Sequence, residues 1–145
     1  MICPYCSHQE TKVLDSRESE NSVRRRRECE KCNKRFTTYE RVEFDLTVIK
    51  KDDRREPFSR EKLLKGILKA TEKRPIPSEK IEKMIDEIEQ DLRNLKSYEI
   101  PSTKIGDKVM SKLKNLDKVA YIRFASVYKD FKDIDDLAEE LKKMR

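Results

Sequence analysis

The chain has 145 residues, of which 35 are Lys or Arg and 29 are Asp or Glu, giving a formal net charge of +6 and a pI near 9.1. Charged residues make up 44% and hydrophobic residues 35%, so the apolar positions must work as thin periodic stripes beside solvated faces. No apolar run approaches a membrane span and no leader or lipidation motif is present, which excludes a membrane protein and sets the expectation of a soluble cytoplasmic one.

All four cysteines fall in two Cys-x-x-Cys units, Cys3-Pro4-Tyr5-Cys6 and Cys29-Glu30-Lys31-Cys32. Thiolates so spaced at two tight turns supply four sulfurs to one Zn²⁺ per chain, a closed tetrahedral site. Two disulfides or a redox pair fit less well, because the chain lacks a secretory leader and a redox motif needs no duplicate. His8, the single histidine, stays outside a coordination shell that the sulfurs already complete. A module this small buries little apolar surface, so its folding is expected to depend on the metal.

Between the two units, Thr11 to Arg17 alternates and reads as a strand, Glu18 to Ser22 as a polar turn, and Val23 to Glu28 as the return strand. Strand alternation puts Arg24 and Arg26 on one face and Arg25 and Arg27 on the other. All four cannot grip the same duplex. One pair is expected to meet phosphates or guanine edges, and the other to brace acidic neighbours such as Asp15 or to contact a second subunit. Arg17 and Arg35 are further candidates for the DNA backbone. A solvated charge run is the competing reading. Phe36 and Tyr39 read as a small apolar plug beneath the ribbon. Residues 1–41 carry ten Lys or Arg against seven Asp or Glu, and four thiolates on one dication subtract two, so this module is not broadly basic. Its arginines are concentrated.

The module boundary falls near residues 41–46, giving expected domains 1–43 and 44–145. Leu46 to Phe58 reads as strand, polar turn and short second strand ending at a proline. Ser59 is a candidate N-cap for a helix with Leu63, Leu64, Ile67 and Leu68 as its buried stripe, stopped by Pro75 and Pro77. A second helix opens near Ser78 with Ile81, Met84, Ile85, Ile88, Leu92 and Leu95 on one face. Pro101-Ser102-Thr103 starts a third, carrying Ile105, Val109 and Leu113 inward. Asp117 caps a fourth whose apolar residues, Val119 to Phe131, cover much of its circumference, which implies central burial. Ile134, Leu137, Leu141 and Met144 belong to a short last helix. The fold class is α+β, with a small β ribbon followed by a mainly helical domain that opens with a β-hairpin.

Gly66 and Gly106 are the only glycines, so neither a Walker loop nor a dinucleotide fingerprint can form, and side chains must hold any phosphate. Lys50, Lys51, Arg54, Arg55 and Lys62 gather cations near a helix N-terminus, while Glu56, Val48 and Phe58 offer surroundings for a purine. A charged hairpin is also often merely solvated. No Ser/His/Asp set or Cys/His pair is available, so an enzyme is not expected.

The whole chain resembles the NrdR family, repressors of ribonucleotide reductase genes built from a zinc ribbon and an ATP-cone. The resemblance rests on Cys3-Pro4-Tyr5-Cys6, Asp15-Ser16-Arg17, Arg24 to Cys29, Cys32 to Glu40, Arg55-Glu56-Pro57-Phe58 and Val119 to Tyr128. It implies a ribbon that binds paired operator boxes in double-stranded promoter DNA, and a cone that takes ATP or dATP as effector. It also implies nucleotide contacts at Val48, Lys50, Lys51, Glu56 and Lys62, and a homo-oligomer whose geometry follows the bound nucleotide. The protein is then cytoplasmic, on the nucleoid when bound to DNA. Family members usually carry glycine where this chain has Asp53, beside the phosphate-facing turn, and an acidic side chain there is expected to disturb the turn or phosphate binding. The rival reading is a nucleotide-sensing accessory subunit that binds a reductase or another protein.

Overall fold

The computed structural model describes residues 1–43 and 45–145; residue 44, where the expected second domain begins, lies outside the described residues. Two compact units divide the chain, Met1–Phe44 and Asp45–Arg145.

The first unit is an antiparallel sheet of β1 (Thr11–Glu18), β2 (Ser22–Cys29) and β3 (Arg35–Arg41), with β2 in the centre. Ser19 closes the first hairpin by donating its N–H to the Ser22 carbonyl at 2.9 Å. The β1–β2 register shifts between Val13 and Asp15, leaving Leu14 as the extra residue of a bulge. β3 was not expected; it leaves Phe36 half-buried but corrects the reading of Tyr39 as part of a plug. Tyr39 is 52% exposed and lies under the Arg41 guanidinium, 4.4 Å from the ring centre. Among the described residues, Cys3 and Cys29 are the only buried hydrophobic side chains of this unit. Sulfur takes the place of a hydrocarbon core.

The second unit pairs a small sheet with helices. Its strands are β4 (Thr47–Ile49), β5 (Arg55–Pro57) and β6 (Glu99–Pro101), in the order β5-β4-β6. β5 joins β4 antiparallel, and β6 joins it parallel with Val48 facing Ile100. The helices are α1 (Arg60–Thr71), α2 (Ser78–Arg93), α3 (Ser102–Leu116), α4 (Lys118–Tyr128) and α5 (Ile134–Lys142). Ser59 and Asp117 cap α1 and α4 by accepting from the N–H of Lys62 and Ala120, as their sequence positions require. Ile67, Ile85, Ile88, Leu92, Ile100, Val109 and Leu113 form the fully buried centre, each stabilising the fold by about 1.5–3 kcal/mol. Arg60 links α1 to α2 through Glu82, Asp86 and Glu89 at 2.9–3.0 Å.

Three apolar assignments change. Leu68 is exposed; α1 buries Ile67 as expected, and Ala70 and Thr71 with it. α4 is not centrally buried: it inserts Ala120, Tyr121 and Ala125, while Val119 and Val127 are 43% and 83% exposed. α5 buries only Glu140, and Ile134 points to solvent. Breadth of apolar surface on a helix does not by itself say how much of it finds a partner. Among the described residues, no helix is long and apolar enough to cross a membrane.

Candidate functional site

Both Cys-x-x-Cys units fold into the same knuckle. Ser7 donates its N–H to the Cys3 carbonyl at 3.0 Å, and Asn33 donates to the Cys29 carbonyl at 3.1 Å. Ser7 and Asn33, each just past the second cysteine of its unit, adopt φ of 62° and 60°, which curls the backbone back. Tyr5 N–H points at the Cys3 sulfur, and the N–H groups of Lys31 and Cys32 point at the Cys29 sulfur, at 3.4–3.5 Å. The Cys32 and Lys31 N–H groups favour the thiolate form of Cys29.

All four sulfurs lie within 4.8 Å of one another. Cys3 and Cys32 are 3.7 Å apart, and Cys6 and Cys29 are 3.6 Å apart. Zn–S bonds of about 2.3 Å place the sulfurs of a tetrahedron about 3.8 Å apart, so the donor set fits zinc. Electrostatics agree. The Cys32 N–H, then that of Lys31, outweigh burial and draw the Cys29 thiol down to about 6. The His8 backbone pulls Cys6 down, yet burial and the sulfurs of Cys29, Cys32 and Cys3 together push it up to about 11. Four thiolates this close need a cation to share. When bound, Zn²⁺ supplies that charge and fastens the two knuckles to each other. His8 is not in the cluster.

On the sheet, Arg17 belongs to β1, Arg24, Arg25, Arg26 and Arg27 to β2, and Arg35 to β3. Arg25 donates to the Ser16 hydroxyl at 3.1 Å, Arg26 to Thr37 at 3.3 Å and Arg27 to Thr38 at 3.0 Å. Arg17 pairs with Asp15 and Arg35 with Glu28.

In the second unit, Val48, Lys50, Lys51, Glu56 and Lys62 all line one cavity of about 570 Å³. β4 and β5 form one wall, the start of α1 another, and α3 and α4 close the base with Ile105, Gly106, Val109, Phe124 and Tyr128. Glu56 accepts from Lys50 and Lys62, each at 3.2 Å, and these lysines, Lys50 foremost, hold its carboxyl below the usual range. Arg54 pairs with Asp52 at 2.6 Å. Lys51 has no carboxylate partner among the described residues and sits 5.6 Å from the Tyr128 ring centre. The cavity therefore has a cationic mouth and an aromatic base, a combination that suits an anion attached to a flat ring. Arg55 does not line it, being paired with Glu99.

Phe124 and Tyr128, expected among the apolar residues of a centrally buried α4, line this cavity instead. Their i,i+4 spacing was the available signal. The Lys50–Arg54 turn forms with Asp53 in it. Lys50 donates its N–H to the Arg54 carbonyl, Asp53 N–H returns to the Lys50 carbonyl, and Asp53 holds φ 64°. The aspartate keeps the left-handed conformation that glycine takes most easily, and the turn closes.

Residues 1–40 match the family model described as "Transcriptional repressor NrdR-like, N-terminal domain", and residues 46–134 match that of the ATP cone domain. The chain is 56% identical over 147 residues to the transcriptional repressor NrdR of Thermoanaerobacter sp. (strain X514), spanning 99% of this chain and 93% of that one. It is 56% identical to the protein of the same name from Acetivibrio thermocellus, covering 99% and 97%. The Listeria welshimeri repressor is 57% identical over 145 residues, covering 98% and 94%.

Proposed function

The chain belongs to the NrdR family, with a zinc ribbon followed by an ATP cone, and from that premise we propose that it is a nucleotide-sensing repressor of ribonucleotide reductase genes. Residues 1–43 bind paired operator boxes in double-stranded DNA, and residues 44–145 bind ATP or dATP and assemble copies of the chain. It acts in the cytoplasm, on the nucleoid when DNA-bound, as a regulator rather than an enzyme, the role that its relatives' names describe.

The observation that carries this reading is the convergence of Val48, Lys50, Lys51, Glu56 and Lys62 on one cavity. Lysines at its mouth serve phosphates, while Val48, Glu56 and the aromatic base surround a purine. Glu56 pairs with both Lys50 and Lys62, so an incoming phosphate competes with a carboxylate for both. The nucleotide thereby rearranges charge at the hairpin that opens this domain.

Regulation requires ATP and dATP to differ in their preference for the assembled states, because a ligand bound equally by all shifts nothing. dATP signals ample deoxynucleotide and selects the assembly whose ribbons match two operator boxes. Two ribbons acting together gain effective concentration, so assembly alone can gate repression without reshaping either ribbon. Gel filtration with light scattering on nucleotide-free, ATP-loaded and dATP-loaded protein tests this. Different particle masses are expected, and one mass for all three despite bound nucleotide would sink the scheme.

A further inference from the structure

The arginines of the ribbon are not equivalent, and strand register sorts them. Each side chain of the central strand β2 shares a face with the residues directly opposite it on β1 and β3. Arg24 is opposed by Arg17 and Tyr39, Arg26 by Asp15 and Thr37, Glu28 by Lys12 and Arg35, and Ser22 by Arg41. This face thus carries six cations against two carboxylates. On the opposite face Arg25 meets Ser16 and Thr38, Arg27 meets Val13 and Phe36, and Val23 meets Glu18 and Glu40. There, two cations balance two carboxylates.

Side-chain bonding follows the same division. On the balanced face, the Arg25 guanidinium spans the Ser16 hydroxyl and, at 3.7 Å, the Glu40 carboxylate, while Arg27 donates to Thr38. On the basic face, Arg24 has no hydrogen bond or ion pair among the described residues, and Arg26 has only the Thr37 hydroxyl. Arg17 and Arg24 stand directly opposite each other in the β1–β2 ladder. Like charges so placed destabilise an antiparallel pair, and nothing else on that face relieves Arg24. An anion between them removes the repulsion.

We propose that the face bearing Arg17, Arg24, Arg26, Arg41 and Tyr39 is the one that meets the phosphates of duplex DNA, and that Arg25 and Arg27 are braces within the sheet. The inference rests on the repressor reading above and assigns which side of the ribbon it uses. Arg24, with no partner among the described residues, and Arg26, with only a hydroxyl, contribute uncompensated charge for backbone contacts. Tyr39, beneath the Arg41 guanidinium and directly opposite Arg24, adds an amphipathic surface beside them.

The test uses full-length zinc-loaded protein saturated with dATP and a fluorescent mixed-sequence duplex, with affinity measured by anisotropy across a salt series. Counterion release makes log affinity fall with log salt by about 0.9 for each phosphate contact. Arg24→Gln and Arg26→Gln should each flatten that slope by about one such contact, and Arg24→Lys should largely restore it. Arg25→Gln and Arg27→Gln should leave the slope unchanged and lower the melting temperature of the ribbon. Zinc content of each variant reports whether its ribbon is still folded. Flattening by Arg25→Gln or Arg27→Gln, or none from Arg24→Gln and Arg26→Gln, overturns the assignment while leaving the repressor reading intact. Wild-type protein that binds no duplex at any salt overturns both.

Discussion

Tyr128 of α4 packs against Gly106 of α3, so close that a Cβ on Gly106 would fall 2.1 Å from the ring carbon Cε2. The phenol then donates to the Thr103 carbonyl at 2.7 Å, also reaching Asp107. Gly106→Ala gains about 1 kcal/mol of helix propensity and loses about 1–3 kcal/mol to overpacking against a ring that cannot recede freely. Overpacking wins. We expect a melting temperature lower by several degrees and weaker ATP binding, because the displaced ring is part of the cavity base. Thermal denaturation and calorimetric titration measure both, and a more stable variant with unchanged affinity would show that the glycine is not there for the ring.

Removing zinc should unfold the first unit and leave the second folded. Among the described residues the ribbon buries only Cys3 and Cys29, whereas the buried hydrophobic core of the second unit runs from Leu46 to Ala125. Hydrogen exchange after treatment with a strong chelator should show protection lost throughout β1, β2 and β3 and kept in α2 and α3. Protection of β2 that survives complete zinc loss would contradict a metal-dependent fold.

Asp53 holds φ 64°, a region that costs an ordinary L-residue about 1–2 kcal/mol and that aspartate tolerates better than alanine. Asp53→Gly should therefore be neutral or slightly stabilising, and Asp53→Ala should destabilise by about 1 kcal/mol. Urea denaturation of the two variants decides the matter. Equal stability of glycine and alanine here would mean that the turn does not depend on this conformation.

Glu140 fastens α5 to α4. Its carboxylate accepts from the Tyr121 hydroxyl and from Lys129 at 2.9 Å, with Lys143 at 3.6 Å. Burial acts to raise its pKa, but the Tyr121 hydroxyl and the lysines outweigh burial and leave it lowered. A carboxyl lowered on folding stabilises above the ordinary carboxylate range, and that contribution disappears as pH falls through the folded value. Exchange protection of α5 should thus decrease on acidification before that of α2. Glu140→Gln should show weak α5 protection already at neutral pH, with little further change in acid. An α5 equally protected in both proteins would rule out the clasp.

What was legible in the sequence was mostly local. The cysteine spacing gave the knuckles, and Ser59 and Asp117 announced two helix starts, because a cap acts within three residues of itself. What failed depended on distant partners. β6 is three residues long and ends in proline, and it exists because Ile100 can lie beside Val48, far away in sequence. The exposure of Val119 and Val127 likewise depends on which faces of α4 are covered by α1, α3 and α5. Alternation correctly separated Arg24 and Arg26 from Arg25 and Arg27, but the charge on each face came from β1 and β3. The bulge at Leu14 helps set that register, and no residue type announced it.

The measurement closest to the centre of this account is operator-DNA affinity of zinc-loaded protein without nucleotide, with ATP and with dATP, at fixed salt. Allosteric coupling typically changes affinity about 5–150-fold, and a dATP-dependent tightening in that range is the expected result. If both nucleotides occupy the cone while the three affinities coincide, cavity and ribbon do not communicate, and the proposed regulation is wrong.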